Sequence, residues 1–219
     1  MMYLSRLLLN TRSRQVQRET ADPYQLHRTI MRGFVEKRDQ SGILHRLDVQ
    51  PRTGAIILLV QSMSEPDWSS LAEKDYLLPI DPFSGLDNPA VKQISLPLRP
   101  NQVLSFRLRA NPTIKKARRD DNGERRNSNR VPLVREEKQV EWLEQRAKDN
   151  GFRLLHLGIS QPQKLTGRKK DNGRAITLYT VQFDGRLQVT NADKLLEAVK
   201  NGIGPAKAFG CGLLSLAPA

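Results

Sequence analysis

Four side chains that can transfer protons or hold negative charge fall between residues 24 and 32. Tyr24, His27 and Arg28 are three and four residues apart, so a helix over this segment places them on one face. Arg32 follows one turn later. The imidazole titrates near neutral pH, and guanidinium groups bind phosphate oxygens. The spacing predicts acid–base chemistry at a phosphate, and the competing interpretation is that Tyr24 and His27 only pack together.

Cleavage of RNA is a phosphate reaction that needs no more than these groups. The ribose 2′-OH attacks its own phosphate, so the protein supplies a base, an acid for the leaving 5′-oxygen and cations for the developing charge. We predict that His27 acts as base or acid and that Tyr24 orients the attack or shares in proton transfer. Two-metal hydrolysis requires clustered carboxylates, and Asp22, Glu36 and Asp39 have no obvious ligand spacing. We therefore expect no metal.

A second phosphate-binding candidate is the glycine-rich segment 202–212. Glycines permit sharp turns, successive exposed N–H groups can cradle an anion, and a lysine adds positive charge. The alternative is structural, with Gly202 ending a helix and the segment leading into a last strand. The candidates for phosphate contact here are Gly204, Lys207, Gly210 and Gly212.

The chain as a whole is strongly basic. It has 36 Lys and Arg residues against 23 Asp and Glu residues, a formal net charge of +13, which predicts a polyanionic partner. Two basic runs are expected outside the regular elements: 107–130, with a loop at 120–124, and the tip of a long hairpin at 164–174. A solvated charged face is the alternative for either run alone. The candidate RNA contacts in these runs are Arg107, Arg109, Lys164, Arg168, Lys169, Lys170 and Arg174.

Cysteine content and hydropathy bear on the compartment. The single cysteine, Cys211, excludes an internal disulfide and is typical of a reducing cytoplasm. No apolar run approaches the roughly 20 residues of a membrane-spanning helix, and the first ten residues do not resemble a signal peptide. We expect a cytoplasmic protein with no membrane partner and no cofactor.

Local patterns predict the elements that position these residues. Asp22 as N-cap and Pro23 at the first helical position start a helix that ends near Arg32, and a polar stretch at 10–21 precedes it. His45 and His156 fall within predicted strands and are expected to be structural or surface side chains. Further helices are expected at 134–150 and 192–200, with a weakly indicated short one from residue 65. Strands are expected at 2–9, 43–49, 55–62, 103–110, 152–159, 176–184, 186–190 and 212–216.

The order of these elements repeats. Strand, helix, strand, strand, helix, strand occurs twice, with a turn at Asp184-Gly185 and a proline-rich loop or edge strand at 76–100. The repeat predicts an α+β fold of two tandem ferredoxin-like (RRM-like, βαββαβ) domains. We expect them at 1–100, carrying the His27 helix, and at 101–219, carrying the glycine-rich segment and the basic hairpin.

Five segments, in order and nearly from end to end, resemble a known family. The sequence is similar to the CasE-type CRISPR repeat endoribonucleases of type I-E systems, within the larger RAMP family. The segments that carry the resemblance are 2–5, 24–27, 106–112, 130–133 and 202–216. The regions 10–21, 76–100 and 115–129 match the family least.

The resemblance implies an activity and partners. Such proteins cut precursor CRISPR RNA at the 3′ base of the repeat hairpin without metal, leaving a 2′,3′-cyclic phosphate and a 5′-OH, and keep the hairpin as Cascade subunits. The family's catalytic histidine and tyrosine fall on His27 and Tyr24. Its phosphate-holding basic residues fall on Arg28 and Arg32, and its glycine-rich loop on 202–212. The implied partners are the CRISPR repeat hairpin and other Cascade subunits.

Recognition of the stem is expected to use shape and phosphates, because the deep groove of A-form RNA hides the base edges. We expect the 164–174 hairpin with Arg107 and Arg109 to follow the stem. Two alternatives are an RNA-hairpin-binding scaffold without catalysis and, less favoured, a metal-dependent nuclease.

Overall fold

Two four-stranded antiparallel sheets form the framework of the molecule. The computed structural model describes residues 2–34, 42–80, 83, 85–119, 125–168 and 175–219, with the backbone alone at 116–119, 125–129, 167–168 and 175–176. Each sheet combines with helices in the order βαββαβ. This confirms the predicted α+β fold of tandem ferredoxin-like units.

The first sheet has the strand order β2-β3-β1-β4. Its strands are β1 (Met2–Leu8), β2 (Leu44–Val49), β3 (Ile56–Ser62) and β4 (Ala90–Ile94). Its helices are α1 (Arg14–Ala21), α2 (Pro23–Met31) and α3 (Ser69–Ala72). Leu26 and Ile30 of α2 share one apolar core with Leu58 and Val60 of β3. Strand β4 lies at the edge and pairs with β1, as the prolines around it predict.

Helix α1 lies in the polar stretch 10–21, where no helix was predicted. Only Val16 of this helix is buried, so the sequence carries no apolar stripe. Tertiary contacts hold the helix instead: the buried hydroxyl of Tyr76 donates a hydrogen bond to Glu19 over 2.8 Å. Burial, together with this carboxylate, raises the pKa of the Tyr76 hydroxyl.

The second sheet has the strand order β10-β5-β9-β8. Its strands are β5 (Val103–Ala110), β8 (Phe152–Arg168), β9 (Ala175–Val189) and β10 (Leu214–Pro218). Its helices are α4 (Glu136–Asp149) and α5 (Ala192–Asn201), and a 3-10 turn covers Lys207–Phe209. The core contains Leu143 of α4, Leu195 of α5 and Phe183 of β9.

The predicted turn at Asp184-Gly185 is wrong, because β9 continues through both residues. Gly185 pairs with Phe106 on one side and with Leu157 on the other. A Cβ at Gly185 would collide with the carbonyl oxygen of His156, next to a register shift in β8. The glycine therefore permits a close backbone approach within the sheet.

The prediction that the basic run 107–130 lies outside regular elements is also wrong. Arg107 and Arg109 belong to β5, which is the strand predicted at 103–110. The unpredicted element is a separate two-stranded sheet that joins β6 (Thr113–Arg119) to β7 (Arg125–Pro132). Backbone pairing builds this hairpin without the apolar alternation that sequence analysis relies on. The predicted loop at 120–124 lies outside the described residues.

The two sheets meet where β2 faces β10. The Arg46 guanidinium, on a side chain only 4% exposed, lies 2.9 Å from the carboxylate of Asp48. It also donates hydrogen bonds to the Leu213 carbonyl over 3.4 Å and to the Ser215 hydroxyl over 3.0 Å. Arg46 therefore ties the first unit to the last strand of the second. None of the helices in the described part of the chain is long and apolar enough to cross a membrane.

Candidate functional site

Helix α2 forms where local signals predict it. The Asp22 side chain accepts a 3.0 Å hydrogen bond from the backbone N–H of Tyr24, and Pro23 occupies the first turn. Leu26 and Ile30 face the core, whereas Tyr24 and His27 are half-buried beside that stripe. The phenol and the imidazole are therefore not part of the apolar stripe that packs against the core.

The two arginines of this segment lie at the surface. Arg28 is exposed and its guanidinium is 3.4 Å from the side-chain oxygen of Gln25. Arg32, also exposed, is the residue at which α2 ends. Both guanidinium groups are thus open to solvent near the half-buried Tyr24 and His27.

The His27 helix adjoins the glycine-rich loop. Helix α2 contacts both the 3-10 turn Lys207–Phe209 and strand β8 of the second unit. His27 stacks on His45, with ring centroids 5.8 Å apart and planes 18° apart. The Nε2 atom of His45 would lie 3.6 Å from a Cβ placed on Gly210. Elements predicted from distant parts of the sequence thus meet at one junction.

His45 is a site residue that sequence analysis missed. It is 1% exposed on strand β2, so the expected structural burial is correct, but its ring also lies against the candidate catalytic histidine. No motif around His45 indicates this, because the contact joins a strand and a helix that are separate in the sequence.

The glycine-rich loop is built by left-handed backbone at Gly204, Ala206, Gly210 and Gly212, whose φ values are 84°, 66°, 80° and 93°. The N–H of Gly210 donates to the Lys207 carbonyl over 3.3 Å, and that of Gly212 to the Arg109 carbonyl over 2.8 Å. Both N–H groups are therefore engaged in hydrogen bonds within the protein. What the glycines provide is room for other atoms to approach the backbone closely. The structural alternative for Gly202 is confirmed, since it ends α5.

Lys207 is the charged group of this loop. It is half-buried in the 3-10 turn that contacts α2. Its Cγ would lie 3.4 Å from a Cβ on Gly212, so the lysine stem runs over that glycine. A larger residue at 212 would crowd this position.

Arg107 and Arg109 lie two residues apart on β5 but differ in environment. The side chain of Arg107 is 45% exposed and its Nε is 2.6 Å from the Asp184 carboxylate, a hydrogen bond that raises the pKa of Arg107. Arg109 is 9% exposed, and burial lowers the pKa of its guanidinium. Arg107 therefore lies on the outer surface, where an RNA stem would reach it. Arg109 does not.

Arg109 donates hydrogen bonds only to neutral side chains among the described residues. The acceptors are the side-chain oxygens of Gln161, Gln163 and Thr180, at 3.3, 2.6 and 3.1 Å. These partners orient the guanidinium without neutralising it.

The basic hairpin is described only in part. Lys164 is exposed on β8, and Arg168 is described by its backbone. Lys169, Lys170 and Arg174 lie outside the described residues, as do Glu36 and Asp39. In the ranges that are described, no group of three or more His, Cys, Asp or Glu side chains is arranged to hold a metal ion.

Cys211 lies within the glycine-rich loop, between Gly210 and Gly212, as a free, buried thiol. Burial raises the pKa of this thiol to about 12, an effect that the nearby Arg109 charge opposes. The group is therefore a protonated, apolar core side chain rather than a nucleophile.

Comparisons with known proteins give one consistent family. A family model described as CRISPR associated protein matches residues 2–218. The CRISPR-associated endoribonuclease Cse3 of Thermus thermophilus is 37% identical over 99% of this chain and 100% of its own length. The Cascade subunit CasE of Escherichia coli is 33% identical over 99% of this chain and 100% of its own. A structure of Cse3 bound to a 19-nucleotide RNA superposes with a TM-score of 0.81 at 35% identity, covering 99% and 100% of the two chains.

Proposed function

The chain belongs to the family of CRISPR-associated proteins, and on that basis we propose its reaction and the roles of its residues. The protein is an endoribonuclease that processes precursor CRISPR RNA and stays with its product as a subunit of Cascade. The observation that carries the proposal is the junction of α2 with the glycine-rich loop. There, a half-buried His27 and Tyr24 lie beside solvent-exposed arginines.

The cut falls at the 3′ base of the repeat hairpin by internal attack. The ribose 2′-oxygen forms a bond to the adjacent phosphorus while the bond to the 5′-oxygen breaks, which leaves a 2′,3′-cyclic phosphate and a 5′-OH. One proton leaves the 2′-OH and one reaches the 5′-oxygen. His27 carries one of these protons, and Tyr24 orients the attacking sugar.

Cations hold the phosphate during this exchange. Arg28 and Arg32 extend from α2, and Lys207 adds charge from the 3-10 turn that contacts the helix. Donors placed where negative charge develops stabilise the transition state more than the ground state. Gly204 and Gly210, which are half-buried, contribute by letting the RNA backbone approach, whereas the buried Gly212 leaves room for the Lys207 stem.

The stem lies on the second unit. Its phosphates are met by Arg107, by Lys164 and by the remaining basic residues of the hairpin, Arg168, Lys169, Lys170 and Arg174. Phosphate contacts give tight, salt-sensitive binding, which suits a subunit that keeps its product.

Two further assignments accompany this function. We place the domain boundary near residue 100, since the first sheet ends with β4 (Ala90–Ile94) and the second begins with β5 (Val103–Ala110). We assign the protein to the cytoplasm, where a free thiol such as that of Cys211 stays reduced.

The reaction is tested with purified protein and a cognate hairpin repeat in excess EDTA. We expect one cut per repeat, a 3′ end that resists phosphatase and a 5′ end that polynucleotide kinase labels directly. The control RNA has the same composition and an unpaired stem. Intact hairpin RNA would favour the non-catalytic scaffold, and cutting only after magnesium is restored would favour a metal-dependent nuclease.

A further inference from the structure

A cavity of about 390 Å³ lies between the two units, next to the stacked histidines. His45 and Gly210 line it, and His45 is also the ring on which His27 stacks. The cavity therefore adjoins the ring that packs against the candidate catalytic His27. Most of its lining is apolar and comes from both units: Leu26, Leu47, Leu165 and Phe209.

The polar side of the cavity is formed by Arg109 and its two glutamine partners, Gln161 and Gln163. Guanidinium has five N–H donors, and the hydrogen bonds to these glutamines and to Thr180 engage three of them. Burying a cation among neutral groups is unfavourable unless an anion or further acceptors complete its shell. Among the described carboxylates, the one that raises the pKa of Arg109 is Asp48, and it is already paired with Arg46.

A volume of this size lies near the lower end of ligand pockets, which span roughly 300–1,000 Å³. An apolar slot that ends in a fixed cation suits a planar, hydrogen-bonding group attached to phosphate. A nucleotide has that chemistry: its base prefers apolar and aromatic surfaces, and its phosphate and carbonyl oxygens accept from arginine.

We propose that this cavity takes one unstacked nucleotide of the bound RNA, adjacent to the phosphate that is cut. The inference rests on the proposed function and deepens it. The base lies against Phe209 and Leu165, and Arg109 donates to a phosphate or base oxygen. Anchoring one neighbouring nucleotide fixes the ribose at the cut, which aligns the 2′-oxygen with the bond that breaks.

The test combines abasic RNAs with a variant that fills the cavity mouth. Repeat hairpins that lack the base at one position at a time, on either side of the cut, are cleaved under single-turnover conditions. We expect the wild-type protein to cut one of these RNAs at least 10-fold more slowly than the intact hairpin. Ala21 lines the cavity yet is exposed, so Ala21→Trp blocks entry with little risk to the core.

Ala21→Trp should cut the intact hairpin at the reduced rate and show no further loss on the sensitive abasic RNA. The matched control is Ala72→Trp, an exposed alanine on α3 outside the cavity, which should behave as wild type. Arg109→Gln should also lose the abasic effect. Equal cleavage of all abasic RNAs, or the same abasic loss in Ala21→Trp, would overturn the proposal while cleavage of the intact hairpin leaves the proposed function standing. Binding of free nucleoside monophosphate without any abasic effect would assign the cavity to a separate small ligand and likewise overturn it.

Discussion

Replacing His27 by alanine should slow cleavage of a hairpin repeat by about 10²–10⁴-fold, the usual loss when a general acid or base is removed. The affinity for RNA should change little, because the basic groups that meet phosphates lie elsewhere. The fold should also survive, since Leu26 and Ile30, not His27, carry the core contacts of α2. Single-turnover rates on labelled RNA, with filter binding alongside, measure both quantities.

His156 provides the matched control for this substitution. It is an exposed histidine on β8, far along the chain from α2, and His156→Ala should cut at the wild-type rate. Equal rate losses in the two alanine variants would show that His27 has no special role. A loss of binding as large as the loss of rate would assign His27 to RNA binding instead.

Replacing Arg46 by alanine should lower the free energy of unfolding by about 3–5 kcal/mol, the range for breaking a buried ion pair from one side. Asp48 would lose its 2.9 Å partner, and the Leu213 carbonyl and Ser215 hydroxyl would lose their donor. Urea denaturation followed by circular dichroism measures the change.

Arg107→Ala is the comparison for this measurement. Arg107 also pairs with an aspartate, Asp184, but both side chains are more than a third exposed, and exposed pairs contribute about 0–1 kcal/mol. An equal decrease in the free energy of unfolding in the two variants would contradict the view that Arg46 stabilises the contact between the two units.

Helix α2 could be predicted because its signals are local. Asp22 caps it, Pro23 begins it, and the spacing of Tyr24 and His27 appears within one turn of helix. Helix α1 could not be predicted, because only Val16 turns inward and its stability comes from contacts such as Tyr76 with Glu19.

The rest of the site depends on long-range packing. His45 stacks on His27 although the two residues belong to different elements, β2 and α2. Arg107 and Arg109 are the same residue type, two positions apart on β5. The environment of Arg109 is set by Gln161, Gln163 and Thr180, which lie on the distant strands β8 and β9. The predicted turn at Asp184-Gly185 is wrong for the same reason, since the close approach to His156 is set by the neighbouring strand.

Internal attack by the ribose 2′-oxygen is tested most directly by an RNA that lacks that single oxygen. A repeat hairpin with one 2′-deoxyribose on the 5′ side of the cut should bind with the affinity of the all-ribose hairpin and stay uncut after many wild-type half-lives. Cleavage of this RNA at the same bond, at a rate near that of the unmodified hairpin, would contradict the account.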